Sequence, residues 1–270
     1  MSTYTVWTAR DCAGRIAVPL QRDDKYSRGV LGMITGSSMY PGAAVIGVES
    51  ALRTGVGMVR YLGPERAAGL VLQRRPEAVT SDGRVQAWLM GSGMDHIERE
   101  SLAQMVDALA QPVPVVLDGG ALDLHDRAAG PVIVTPHFRE LARLLDADRA
   151  DIAADPAGWA RRAADDLGVT VLLKGHTTYI AGPGISLSAA SAPSWLATAG
   201  AGDALAGILG ALVATHSRQI QDDPAELARL AASAAVVHGL AAERASGGGP
   251  LTILDLAAAV PATIAALLRD

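Results

Sequence analysis

The feature that most constrains this chain is an alternation: short, continuously apolar runs recur along it, most followed by a stretch with helical spacing. VLGMIT (30–35), VGMVRYL (56–62), VQAWLMG (85–91), PVVLD (114–118), PVIVT (131–135), TVLLKG (170–175) and TTYIA (177–181) read as strands. Several of them show no apolar–polar alternation, as expected for strands of a parallel sheet that is covered on both faces. Helices are expected over 43–53, within 64–74, near 97–110, near 138–146 and in 156–167, and the last third reads as helices over 204–215, 225–244 and 254–268. In AAVIGVESALR, Val45, Val48, Ala51 and Leu52 share one face, while Pro41 suits a first helical turn and Gly55 a stop. This pattern predicts a three-layer α/β architecture with a mostly parallel central sheet flanked by helices. The segments 217–224 and 246–250 read as short loops between helices, and a single domain over 1–270 is the expectation.

Composition narrows the function. Half of the 270 residues are hydrophobic, enough for a large core, and a net charge of −5 argues against general nucleic-acid binding, which rests on basic patches. Cys12 is the only cysteine, so neither an intrachain disulfide nor a thiolate zinc cluster can form. The start, MSTYTVWTARD, has no basic-then-apolar leader, and no apolar run is long enough to span a bilayer. A cytoplasmic protein with no membrane or nucleic-acid partner is expected.

Ligands of open α/β sheets bind beyond the carboxyl ends of the strands. Glycine and polar residues collect there in TGSSMYPGAA, GSGMD, DGGAL, TPHFRE and KGHTT. ATAGAGDALAGIL (197–209) places Gly200 and Gly202 ahead of an apolar helix, so that backbone N–H groups and the helix dipole can face an anion. Asp203 would repel that anion, so it serves either as a general base toward an attacking hydroxyl or simply as the helix N-cap. Lys174, Gly175, His176, Thr177 and Thr178 can hold phosphates or a ribose, or Lys174 can be merely solvated. His137 and Glu140 can orient a substrate or, through water, Mg²⁺; alternatively Thr135 caps a helix that Pro136 begins. Asp118 can face ligand or brace a turn, and His238 reads as a packed helix residue. Neither a P-loop nor a G-x-G-x-x-G follows a first strand.

Taken together, the residues resemble a known family. Gly200 to Asp203 resembles the anion hole and aspartate of the ribokinase-like superfamily. KYSRGVLGMITGSSMYPGAAVIGVESALRTGVGMVRYLGP (25–64), VVLDGGAL, VTPHFREL, VLLKGHTT and ATAGAGDALAGIL follow the order of one branch, the ADP- or ATP-dependent NAD(P)H-hydrate dehydratases. The resemblance covers about residues 15 to 268. It implies a ribokinase-like fold and repair of the 6S hydrate of NADH or NADPH, with ADP or ATP as co-substrate and Mg²⁺. In that chemistry Asp203 deprotonates the ring hydroxyl for attack on the terminal phosphoryl, phosphate then leaves, and the N–H groups of Ala201 and Gly202 steady the transferring phosphoryl. It places Ala43, Gly93, His137 and Asp203 on the hydrated nucleotide, and Lys174 to Thr178 with Gly202 on the adenine nucleotide. It further implies a homotetramer and a separate epimerase, because the chain leaves no room for an epimerase domain.

The chain departs from that family in three places. GSGMD (91–95) stands where GPGLG is common, so Ser92 replaces a proline and Asp95 adds a charge. PHFRE replaces PHPGE and GAGD replaces GTGD, and neither change removes a reactive group. A vitamin or sugar-alcohol kinase of the same fold is the alternative reading, and a nucleotide binder without catalysis is a third. Asp203 argues against the binder, which gains nothing from a carboxylate beside phosphate.

Overall fold

The computed structural model describes residues 3–95 and 97–269. Each apolar run forms a strand, and two further short strands join them. The strands are β1 (Thr5–Val6), β2 (Val30–Ile34), β3 (Met58–Tyr61), β4 (Ala87–Met90), β5 (Val115–Leu117), β6 (Val132–Val134), β7 (Thr170–Leu173), β8 (Thr178–Gly182) and β9 (Ile185–Ala189). They build one sheet in the order β1-β9-β8-β7-β6-β5-β4-β2-β3. Pairing is parallel from β3 through to β7, and antiparallel only where β8 joins β7 and β9. Two tight hairpins explain that reversal, β7–β8 turning through 174–177 and β8–β9 turning at Pro183–Gly184.

Period-two geometry sends alternate side chains of each strand into two separate cores. Leu31, Met33, Leu89, Val116, Ile133 and Leu172 enter one. Val30, Ile34, Met90, Leu117, Val134 and Leu173 enter the other. The first core is closed by α1 (Ala9–Ala13), α2 (Pro41–Thr54), α3 (Glu65–Arg74), α8 (Ala201–Thr215), α9 (Ser217–Asp222), α10 (Glu226–Ser246) and α11 (Ile253–Leu267). The second lies under α4 (Arg99–Leu109), α5 (Phe138–Leu144), α6 (Arg149–Ala154), α7 (Pro156–Leu167) and a 3₁₀ segment, Gly119–Arg127. This is the expected three-layer arrangement. Among the described residues no helix is long and apolar enough to cross a membrane.

Three local expectations need correction. The segment read as a loop at 217–224 contains α9, a helix of six residues, too short to show periodicity. Elements β1, α1, α6 and β9 stand outside the expected set: all four are at most six residues long, and β9 (ISLSA) carries small polar residues between its apolar ones. Finally, α8 begins at Ala201 rather than at 204, because Gly200 takes the left-handed conformation (φ 91°) as its N-cap.

Two helices matter most for function. Pro41 opens α2 and Gly55, left-handed at φ 105°, ends it. Helix α8 is buried from Ala204 to Ala214, including Leu205, Ile208, Leu209 and Leu212. A helix apolar all round is held on every side, which fixes its N-terminus and Asp203.

Candidate active site

After β3 the chain crosses β2 to reach β4, so the sheet's topological switch lies between β2 and β4. Their following loops meet there, where the Gly36 N–H donates to the Ser92 carbonyl at 2.7 Å. Gly93 sits left-handed at φ 69° directly against Ala43: a Cβ on it would stand 2.3 Å from the Ala43 Cβ. Ala43 and Gly93 thus pack directly against each other at the switch point. Gly47, one turn further along α2, faces the Asp203 carbonyl, 3.7 Å from where its own Cβ would be.

The next four strands end in a connected polar row. Asp118, after β5, is buried and accepts hydrogen bonds from Ser92 Oγ (2.9 Å), Thr135 Oγ1 (2.7 Å) and Lys174 Nζ (2.7 Å). Lys174 Nζ also lies 3.8 Å from Glu140 Oε2. Burial pushes the Asp118 carboxyl up, but the Lys174 charge and the three hydrogen bonds outweigh it and hold it below the ordinary carboxylate range. For Lys174, burial pulls the ammonium down, while Asp118, Glu140 and Asp203 together carry it above its usual value. Lys174 is therefore a buried, charged strand-end group rather than a solvated one.

His137 is the N-cap of α5: its Nδ1 accepts from the Glu140 N–H (3.0 Å) and Glu140 Oε2 accepts from the His137 N–H (2.7 Å). A neutral imidazole accepting at Nδ1 carries its proton on Nε2. Thr135 is not the cap; it is buried on Asp118.

Asp203 is the third residue of α8, not its N-cap, and its carboxylate takes no hydrogen bond among the described residues. Burial, with help from the Asp118 charge and against the pull of Lys174, pushes it up to about 7. Gly202 is its neighbour toward Lys174, with a Cβ there lying 3.6 Å from Nζ.

Beside this row opens a cavity of about 360 Å³ lined by Lys174, Gly175, His176 and Thr178 on one side and by Ala201, Gly202 and His238 on another. Thr177 does not line it. His137 lies instead on an adjoining depression with Arg139, Arg149, Lys174 and His176. Asp203 thus lies next to Gly202 of the cavity wall and packs through its carbonyl against Gly47 of α2, the helix that also carries Ala43.

The NAD(P)H-hydrate dehydratase family model matches residues 31–257 of this chain. The chain belongs to the NAD(P)H-hydrate dehydratase family. It is 45% identical over 221 residues to the bifunctional NAD(P)H-hydrate repair enzyme Nnr of Mycobacterium tuberculosis, covering 77% of this chain and 45% of that protein. The chain thus spans about half the length of the bifunctional relatives it matches. It is 32% identical over 206 residues to the ADP-dependent (S)-NAD(P)H-hydrate dehydratase of Neisseria meningitidis, 69% of each protein. The solved ADP/ATP-dependent NAD(P)H-hydrate dehydratase of Bacillus subtilis, co-crystallised with ATP and Mg²⁺, superposes with a TM-score of 0.87 at 26% identity over 99% of this chain and all of that one. The fold is ribokinase-like.

For a dehydratase of this family the donors suit Mg²⁺ borne mainly by nucleotide phosphates. Among the described residues no group of three or more His, Cys, Asp or Glu side chains can enclose a metal. Lys174 already occupies the space between the Asp118 and Glu140 carboxylates. Glu140 Oε1 takes no hydrogen bond among the described residues, leaving it for a water of such an ion.

Sequence reasoning missed two parts of the site. The Ser92 hydroxyl was read only as a lost proline, yet it binds Asp118. The far wall of the cavity, Ala189 to Ala197, was unread because β9 was unread; the Gly182–Pro183–Gly184 turn after TTYIA was the available signal for that hairpin.

Proposed function

We propose that this chain dehydrates the 6S hydrate of NADH or NADPH, with ADP or ATP as phosphoryl donor. The observation that carries the reading is the Asp203 carboxyl, half-buried, raised to about 7 and joined to no protein donor among the described residues, beside the Asp118–Lys174 pair. A base needs a pKa near working pH and a free lone pair, and this environment favours both.

In this reading the hydrated nicotinamide lies against Ala43 and Gly93, with His137 toward its nucleotide tail. The adenine nucleotide lies in the cavity, its phosphates toward Lys174 and the N-terminus of α8. Asp203 takes the proton of the ring hydroxyl, and that oxygen attacks the terminal phosphorus of the donor, releasing AMP from ADP. The Ala201 and Gly202 N–H groups steady the charge on the transferring phosphoryl. The carbon–oxygen bond then breaks as the ring nitrogen lone pair pushes in, phosphate leaves, and a proton from the adjacent ring carbon departs to restore the dihydronicotinamide. Bound beside Glu140, Mg²⁺ supplies charge neutralisation to the phosphates. Phosphorylation makes a good leaving group of a poor one, so a kinase-like fold suits a dehydration.

The test incubates the chain with the 6S hydrate, Mg²⁺ and ADP or ATP, and follows dihydronicotinamide absorbance. Recovery of that absorbance with either donor is expected. Its absence with both, together with phosphorylation of a vitamin or sugar alcohol, would replace this reading with the kinase one.

A further inference from the structure

His238 projects from α10 into the wall of the cavity and has no part in the chemistry above. It is 6% exposed, and its Nε2 has no hydrogen-bond partner among the described residues. Burial pulls the ring down to about 4, against the opposing effect of the Ala201 backbone, so it is a neutral imidazole at working pH. An unpaired buried polar atom is costly, and native proteins keep few of them without a purpose.

The walls around His238 indicate which part of a ligand it meets. Ala189, Ala192, Pro193, Leu196 and Leu205 make that end apolar, whereas the charged end lies at Lys174. The α10 helix is pressed onto this wall, since a Cβ on Gly239 would stand 2.7 Å from the Ser191 carbonyl carbon. Phosphates gain nothing from apolar walls, but a flat heteroaromatic base does. Ser191 and Ser194 belong to the same wall, and His238 adds to them a buried ring nitrogen by which a base can be discriminated.

We propose that His238 reads the base of the nucleotide, its imidazole pairing with the adenine edge and selecting adenine over guanine. This rests on reading the cavity as the nucleotide site. The ring's bond to the Ala201 backbone leaves the unpartnered Nε2 as an acceptor, which the adenine amine can meet, whereas guanine sets a carbonyl oxygen at the same position.

The test is calorimetric titration of the whole chain with ADP, GDP and tripolyphosphate, comparing wild type with His238→Phe, and with His238→Leu should the first not fold. Wild type binds ADP more tightly than GDP. The variant is expected to lose about tenfold in ADP affinity and most of its preference over GDP, while tripolyphosphate binds as before. Unchanged ADP affinity and preference would overturn the assignment. Equal weakening of ADP and tripolyphosphate would also overturn it, because it marks a merely structural residue. Failure of the wild type to bind ADP at all would instead remove the reading of the cavity.

Discussion

Lys174 Nζ lies 2.7 Å from Asp118 Oδ1, although their strands, β7 and β5, are separated by β6. The pair bridges three strand ends, because Thr135 at the end of β6 donates to the same carboxylate oxygen. Ser92 binds the other oxygen, so the Gly93 loop and the lysine of the cavity share one buried anion. The Gly93 loop and the cavity are thereby held in fixed relation, and Asp203 feels both charges of the pair with opposite sign.

That opposition gives the first prediction. Asp118 raises the Asp203 carboxyl and Lys174 lowers it. At saturating substrates, Asp118→Asn should move the acid limb of the rate–pH profile below its wild-type position, and Lys174→Met should move it above. Shifts of the same sign in both variants would show that Asp203 does not sense the pair.

Asp203→Asn should reduce turnover by about 10²–10⁴-fold, the usual worth of a positioned base. ADP affinity, measured by titration, should stay within about threefold, because the carboxylate does not hold the nucleotide. Stability should move the other way. The carboxyl, ordinarily near 3.8, is raised to about 7, so its contribution is complete below about pH 4 and is lost as pH rises through about 7. The asparagine variant should therefore melt no lower than wild type at about pH 8, and a clear fall in melting temperature there would contradict the burial argument.

Gly200→Ala forces a side chain into a backbone at φ 91°, with its Cβ 2.8 Å from Ile46 Cδ1. The strain is worth about 1–2 kcal/mol before any steric cost. Relief requires the N-terminus of α8 to shift, which moves Asp203 and the Ala201–Gly202 amides together. Thermal unfolding should fall by several degrees and kcat should fall more than tenfold; a variant with wild-type kcat would show that this turn does not set the base.

Glu49 on α2 is fully buried and pairs with Arg53, Arg74 and Arg75. Burial pushes the carboxyl up, but the hydrogen bonds and charges of Arg75 and Arg53 overcome it and bring it down to about 2. Its stabilisation is present above about pH 4.5 and is lost as pH falls toward about 2. Glu49→Gln should cost about 3 kcal/mol at neutral pH, at the low end for a buried pair because the arginines are partly exposed. Denaturant titrations should show the gap to wild type closing under acid, and a gap independent of pH would assign the loss to packing instead.

The sheet was legible because its strands are apolar on both faces, and the site because its polar groups gather at strand ends. Pro41 and Gly55 marked the ends of α2 before any coordinates did. What could not be read was long-range pairing. Nothing local says that Lys174 and Asp118, fifty-six positions apart, share a hydrogen bond. Nor does local spacing reveal that His238, on a helix that looks like core, lines a cavity together with the segment that follows β9. Asp203 shows a third limit: Asp before an apolar run resembles a cap, and only the left-handed Gly200 displaces it into the first turn.

The central claim is that the ring hydroxyl is phosphorylated before it leaves, and its oxygen can be followed. The chain would be given the 6S hydrate carrying heavy oxygen in that hydroxyl, together with ADP and Mg²⁺, and the released phosphate analysed by mass spectrometry. The label should appear in inorganic phosphate, one atom for each dihydronicotinamide restored and each AMP formed. Label released into water, with dihydronicotinamide formed all the same, would contradict phosphoryl transfer and remove Asp203 from the role assigned to it.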